Sequence, residues 1–117
     1  MPELPAQRYS RIRGTGSAQP AHVVTNDDLT RTLETSDEWI TTRTGIRERR
    51  IAGEETLVDL AADAAQRALD DAGLDAAGVD LLIVATMTGE RSPSTAARVA
   101  GRLGIRSALS YDLSAAC

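Results

Sequence analysis

Leu81-Leu82-Ile83-Val84-Ala85-Thr86-Met87 is the stretch on which the fold turns. An unbroken apolar run of this length predicts a strand covered on both faces, as in sheets flanked by helices. Elements of the other period lie on either side of it. Upstream, Thr56 is placed to cap the longest helix, roughly Leu57 to Asp71. Its apolar positions Leu57, Leu60, Ala61, Ala64, Ala68 and Ala72 follow helical spacing, and Gly73 stops it. Asp59, Asp63, Arg67 and Asp70 form the side expected to face water. Downstream, Ser92 is the expected cap of a helix with Pro93 in its first turn, ending near Gly104. Ser107 to Leu113 then returns as a strand. Strands alternating with helices predict an α/β chain with right-handed crossovers and a mixed, largely parallel sheet.

The first half is read with the same signals. Tyr9 to Gly16 reads as a strand, ended by Gly14-Thr15-Gly16 and the loop at Pro20. Thr25 followed by early acids opens a helix to about Leu33, and Thr35-Ser36-Asp37-Glu38 opens a second through Trp39 and Arg43. Gly45 suits a positive-φ cap that ends it.

The chain has 117 residues, 42% hydrophobic and 26% charged, which bounds it to one domain with a modest core. A formal net charge of -4 argues against a sequence-blind grip on nucleic acid. A single cysteine allows no internal disulfide. The longest aliphatic run is far too short to span a bilayer, and the first residues carry no apolar stretch of a secretory signal. These readings predict a soluble, cytoplasmic protein that works on small molecules.

Several residue groups carry chemistry, each with an ordinary structural alternative. Gly14-Thr15-Gly16 lacks the third glycine of a dinucleotide loop, whose place is Gln19, and reads as a tight turn. His22, the only histidine, sits in a polar loop, where solvation is more ordinary than service as a base. One Cys and one His provide no usable metal ligand set. Trp39 and Arg43, four residues apart on a helix, project from one face. They suit surface packing, the more ordinary outcome, or a stacking platform beside a cation for a nucleotide headgroup. Arg43, Arg47, Arg49 and Arg50 form a basic cluster in an acidic chain, either a solvated face or a landing area for an anion or an acidic carrier protein. Cys117 follows a strand and a run of small residues. It is either a buried small hydrophobe or a nucleophile whose thiolate a helix starting there would stabilise.

Read as a unit, Thr35-Ser36-Asp37-Glu38-Trp39-Ile40-Thr41-Thr42-Arg43-Thr44-Gly45-Ile46-Arg47-Glu48-Arg49 closely resembles the signature segment of the β-ketoacyl-acyl-carrier-protein synthase III family, of the thiolase superfamily. The resemblance continues in order through Leu82-Ile83-Val84-Ala85-Thr86, Ser92-Pro93-Ser94, Leu103-Gly104-Ile105 and Asp112-Leu113-Ser114-Ala115-Ala116-Cys117. It implies a thiolase-like layered fold (αβαβα) of which residues 1–117 are the N-terminal half, with the second half absent.

The resemblance also implies that Cys117 accepts an acyl group from acyl-CoA as a thioester, with no permanently bound cofactor and no metal. Trp39 matches the position that stacks on the adenine of coenzyme A, Arg43 the one that contacts its phosphates, and Thr35 one that approaches the same base. A decarboxylated malonyl-acyl carrier protein then attacks the acyl group. The family's catalytic His and Asn have no counterpart here, so the chain alone is expected to be inactive. A homodimer is implied as well. Family members that prime fatty acids often carry a bulky aromatic before the proline of the 87–93 loop, bounding the partner's acyl pocket. Here that place is Ser92, and Met87 stands where a small polar residue is common. Both point to a larger, branched or unusual acyl group. The alternatives are an acyltransferase of secondary metabolism that uses an O, N or carrier nucleophile without decarboxylation, and a non-catalytic interaction subunit.

Overall fold

The computed structural model describes residues 9–89 and 92–114. Its elements are strand β1 (His22–Thr25), helices α1 (Asn26–Thr30) and α2 (Asp37–Thr44), strand β2 (Glu48–Ile51) and helix α3 (Leu57–Ala72), then a 3₁₀ turn at Ala76–Gly78, strand β3 (Leu81–Ala85), helix α4 (Thr95–Leu103) and strand β4 (Leu109–Leu113). The fold class is α/β, as expected. The sheet content is more mixed than expected: β3 and β4 pair in parallel, from Leu81 opposite Leu109 to Ala85 opposite Leu113, whereas β1 and β2 pair antiparallel. β1 places His22 opposite Ile51 in a ladder, so His22 is not in a loop.

The helix ends obey local chemistry. Thr25 and Thr56 each accept from the backbone N–H three residues on, and Asp28 and Asp59 reach back to them, closing capping boxes. Ser36 caps α2 by accepting from Trp39 N–H at 3.0 Å. Gly45, Gly73 and Gly104 end α2, α3 and α4 at φ 72°, 64° and 73°, where a Cβ would be strained. α1 stops at Thr30, short of Leu33, because Thr32 and Leu33 close turn bonds onto Leu29. α4 is capped by Ser94, not Ser92: the Ser94 hydroxyl accepts from Ala97 N–H, and Pro93 precedes the helix.

The core is small. Val58 and Ala62 of α3 meet Val99 of α4, with Leu82, Val84 and Leu103 packed against them. The expected stripe from Leu60 to Ala72 is partly covered, but Leu57 is exposed, and the two buried residues of the helix are Val58 and Ala62, which the spacing does not single out. Asp59 does not simply face water but reaches Arg102 of α4 at 2.6 Å. β3 is covered on one face only, because α3 and α4 pack behind Leu82 and Val84 while Leu81, Ile83, Leu109, Tyr111 and Leu113 stay exposed. The strand ends at Ala85 rather than Met87.

Residues 9–16 form no strand. This extended segment lies on α3 instead of in a ladder. Thr15 N–H donates to Asp71 Oδ2 at 3.0 Å, and Arg67 Nη1 donates to Ser17 O at 2.5 Å. Its two glycines allow the approach: a Cβ on Gly14 would lie 2.6 Å from Ala72 N, and one on Gly16 2.5 Å from Ala68 N. The Gly-x-Gly pair is thus a packing device against the alanine stripe Ala64, Ala68 and Ala72.

Candidate functional site

Helix α2 has two opposed faces because residues four apart stack on one side. Asp37 and Thr41 turn inward with buried Ile40, and Trp39 and Arg43 turn outward. The structure brings the expected pair together: the Arg43 guanidinium lies over the indole with its central carbon 4.4 Å from the ring centroid, and Trp39 remains 53% exposed. Half-exposed and covered on one side by a guanidinium, the indole is not a core anchor, and the arrangement fits both surface packing and a stacking platform. Acidic Asp37 and Glu38 in the first turn and Arg43 in the last also match the helix dipole. Thr35 lies just ahead of the cap. Its Oγ1 is shielded from solvent and has no hydrogen-bond partner among the described residues.

The basic cluster is not one landing area. Arg49 turns in and donates to Asn26 Oδ1 at 2.7 Å, while Arg50 meets Glu48 at 3.3 Å.

A second feature sits at the carboxyl ends of the parallel strands, where open α/β sheets present their ligand sites. Ala85, Thr86, Met87 and Leu113 line a cavity of about 280 Å³. Thr86 N–H donates to Leu113 O at 3.0 Å and extends the ladder to its rim, while Met87 is 70% exposed at its mouth. Ser92 is exposed, joined to Pro93 by a cis peptide, and is not among the lining residues. Cys117 lies outside the described residues, as do Ala115 and Ala116. A larger cavity of about 310 Å³, between Gly14, α3 and Leu103, has Arg13 as its only polar lining residue and offers no reactive group.

Two residues that the sequence did not mark as special hold these parts in place. Asn26 is a buried hub beside α2. Asp112, inside the β4 run, reaches across to α4, accepting from Thr95 N–H at 2.8 Å and Ala96 N–H at 2.6 Å. Nothing local in the sequence marks either, because their partners are 11 to 23 and 16 to 17 residues away.

Partial desolvation works against ionising Asp112, but the bonds from Ala96 N–H, Thr95 N–H and the Thr95 side chain outweigh it. They hold its carboxyl below the ordinary value of 3.8. A depressed carboxylate stabilises the fold at every pH above its unfolded value and loses that contribution as pH falls through the folded value. The tie between β4 and α4 should therefore be intact at neutral pH and lost as pH falls through a midpoint below the ordinary carboxylate value. Amide proton shifts of Thr95 and Ala96, followed by NMR, should titrate with a midpoint below that value. A midpoint above 3.8 contradicts the bonds.

No protein-family profile matches the chain. Individual relatives do. The curated β-ketoacyl-[acyl-carrier-protein] synthase III 1 of Vibrio cholerae is 53% identical over 111 residues, which take in 93% of this chain and 35% of the relative. The synthase III 4 of Streptomyces coelicolor is 56% identical over 110 residues, 92% of this chain and 35% of the relative. Among solved structures, the 3-oxoacyl-[acyl-carrier-protein] synthase III from Aquifex aeolicus superposes with a TM-score of 0.85 at 50% identity, covering 89% of this chain and 34% of that one. The priming β-ketosynthase of the R1128 polyketide pathway superposes with a TM-score of 0.88 at 42% identity, covering 97% and 34%. The chain thus spans about a third of the length of the proteins it matches. Its α/β fold is the thiolase-like fold of these neighbours.

Proposed function

Because this chain belongs to the β-ketoacyl-acyl-carrier-protein synthase III family, we propose that it is the N-terminal portion of an acyltransferase that carries its acyl group on Cys117. The observation that carries the reading is the half-exposed Trp39 with the Arg43 guanidinium 4.4 Å from its ring centroid. Coenzyme A offers that platform an adenine to stack and phosphates to pair with the cation. Thr35, just ahead of the cap of the same helix, is the third residue of this site. In this conformation the guanidinium already covers part of the indole, so adenine takes the remaining exposed surface or Arg43 swings toward a phosphate.

The reaction has two halves. The Cys117 thiolate attacks the thioester carbonyl of acyl-CoA, forming a new carbon–sulfur bond as the bond to the coenzyme A sulfur breaks, and coenzyme A leaves as a thiolate that takes a proton from solvent. Malonyl-acyl carrier protein then loses carbon dioxide. The carbanion left on its α-carbon attacks the acyl-cysteine carbonyl, and Cys117 departs as thiolate from the β-ketoacyl product. Donors directed at the carbonyl oxygen lower both barriers. The cavity behind Met87 and Leu113, at the end of the strand that leads to Cys117, is the place for the acyl chain. The exposed face of Leu81, Ile83, Leu109, Tyr111 and Leu113 supports an incomplete layered unit. We propose that the catalytic His and Asn belong to the part of the relatives that this chain does not match, and that residues 1–117 do not complete the reaction by themselves. We place the protein in the cytoplasm, as a homodimer that docks acyl carrier protein. No helix among the described residues is long and apolar enough to cross a membrane.

Exposed Met87 and Ser92, with no aromatic at the loop, favour a second reading. The likeness to a priming ketosynthase of a polyketide pathway points the same way. In it, the same cysteine thioester primes a secondary metabolite or passes its acyl group to an oxygen, nitrogen or carrier nucleophile without decarboxylation. Full-length protein incubated with acyl-CoA should gain one acyl mass on Cys117. Adding malonyl-carrier protein should then release carbon dioxide only in the condensing case. Absence of any adduct with the thiol kept reduced would leave the interaction-subunit reading.

Replacing Trp39 with alanine should raise the donor KM by about one to two orders of magnitude, the loss of a stack of about 1–3 kcal/mol. An unchanged KM in steady-state assays over several acyl-CoA donors would return Trp39 to ordinary packing.

A further inference from the structure

We infer that Asn26 is a positioning residue that sets the Trp39–Arg43 platform by anchoring the inner face of α2 to the start of β2. The inference rests on the coenzyme A reading for its consequence, but not for its geometry. Asn26 is 1% exposed and is one of the two largest fully buried side chains among the described residues. A buried amide of this kind is stable only when its donors and acceptor are matched.

Here they are matched across three elements. Nδ2 donates to Asp37 Oδ1 at 2.7 Å and to Ile46 O at 2.8 Å, with Thr41 Oγ1 at 3.3 Å. Oδ1 accepts from Arg49 Nη1 at 2.7 Å. The Asn26 backbone N–H donates to Arg47 O at 3.3 Å, and Thr41 Oγ1 donates to Asp37 Oδ1 at 3.2 Å. The amide cannot be turned over: a carboxylate and a carbonyl accept on one side, and a guanidinium, which only donates, occupies the other.

The consequence follows from helix periodicity. Asp37 and Thr41 occupy the inner face of α2, and Trp39 and Arg43 the outer one, so fixing the first pair fixes the rotation of the second. Gly45 ends the helix immediately afterwards, and the chain passes through Ile46 and Arg47, both bonded to Asn26, into β2. One side chain therefore holds the beginning and the end of the segment. A leucine of similar size would fill the space without specifying that rotation.

The test uses Asn26→Asp, which keeps the size and the acceptor for Arg49 but removes both donors and sets a carboxylate against Asp37. Trp39 is the chain's only tryptophan, and subtracting the spectrum of Trp39→Phe isolates its signal in any longer polypeptide. The expected result is an unchanged far-UV spectrum, loss of Trp39 near-UV ellipticity and about tenfold weaker binding of coenzyme A. Adding Asp37→Asn, which exchanges donor and acceptor, should recover part of both. Full Trp39 ellipticity in folded Asn26→Asp overturns the inference. If Asn26→Asp does not fold, Arg49→Met removes one bond of the set and decides by the same two readouts. Wild type that fails to bind coenzyme A overturns the donor reading alone, while the ellipticity still decides the role of Asn26.

Discussion

Replacing Cys117 by alanine is expected to abolish the covalent acyl adduct and to lower turnover by on the order of 10⁴-fold or more. The size of the effect comes from the chemistry of the first half-reaction. A thioester carbonyl needs a strong nucleophile, and a thiolate is the best that a side chain offers near neutral pH, whereas alanine offers none. Cys117→Ser separates nucleophilicity from shape. Its hydroxyl is almost wholly protonated at pH 7 and should give an adduct far more slowly, if at all. Intact-mass spectrometry of the full-length variants with acyl-CoA reads both results directly. An adduct that survives in Cys117→Ala must sit on another residue, and the proposed chemistry would fall with it.

The second large effect concerns stability and has an internal control. Gly16→Ala should destabilise the protein by about 1–3 kcal/mol, because its new methyl would enter the backbone of α3. The nearest atoms would be Ala64 O, Ala68 N at 2.5 Å and Arg67 Cβ at 2.9 Å. Two of the three are helix backbone atoms, which cannot move aside as the tip of a flexible side chain would. The 9–16 segment would have to lift off α3, giving up the Thr15–Asp71 and Arg67–Ser17 bonds as well. Gly101→Ala should act in the opposite sense. It lies within α4 with open space around its Cβ position, so alanine should add about 0.5–1 kcal/mol through helix propensity. Urea unfolding of the two variants beside wild type checks both signs. Equal effects at the two glycines would mean that the close approach of residues 14–16 to α3 contributes nothing.

The same comparison shows where local reading stops. Thr25, Ser36 and Thr56 are legible as caps because each bonds a backbone N–H three residues away. Ser92, next to a proline, has the local features of the α4 cap, yet Ser94 holds that place together with Asp112, a strand residue 17 positions from Thr95. Residues 9–16 have the composition of a strand, and what they pair with instead is the alanine stripe of α3. The run at Leu81 forms the expected strand, but among the described residues only one of its faces is covered.

For the candidate site the division is similar. The sequence alone determined the α/β class, the helix that carries Trp39 and Arg43 on one face, and the resemblance that makes Cys117 the candidate nucleophile. These rest on spacings of three to four residues or on the order of side chains along the chain, and neither needs a partner element. Only the tertiary structure decided that Trp39 stays half in solvent with Arg43 over it, and that Arg49 is spent on an internal amide. It alone opened a cavity at the ends of β3 and β4, and made Asn26 and Asp112 the ties that hold the parts. Burial and hydrogen-bond matching depend on which distant segment arrives opposite a residue. That is settled when the chain folds back on itself, not by the neighbours it has in sequence.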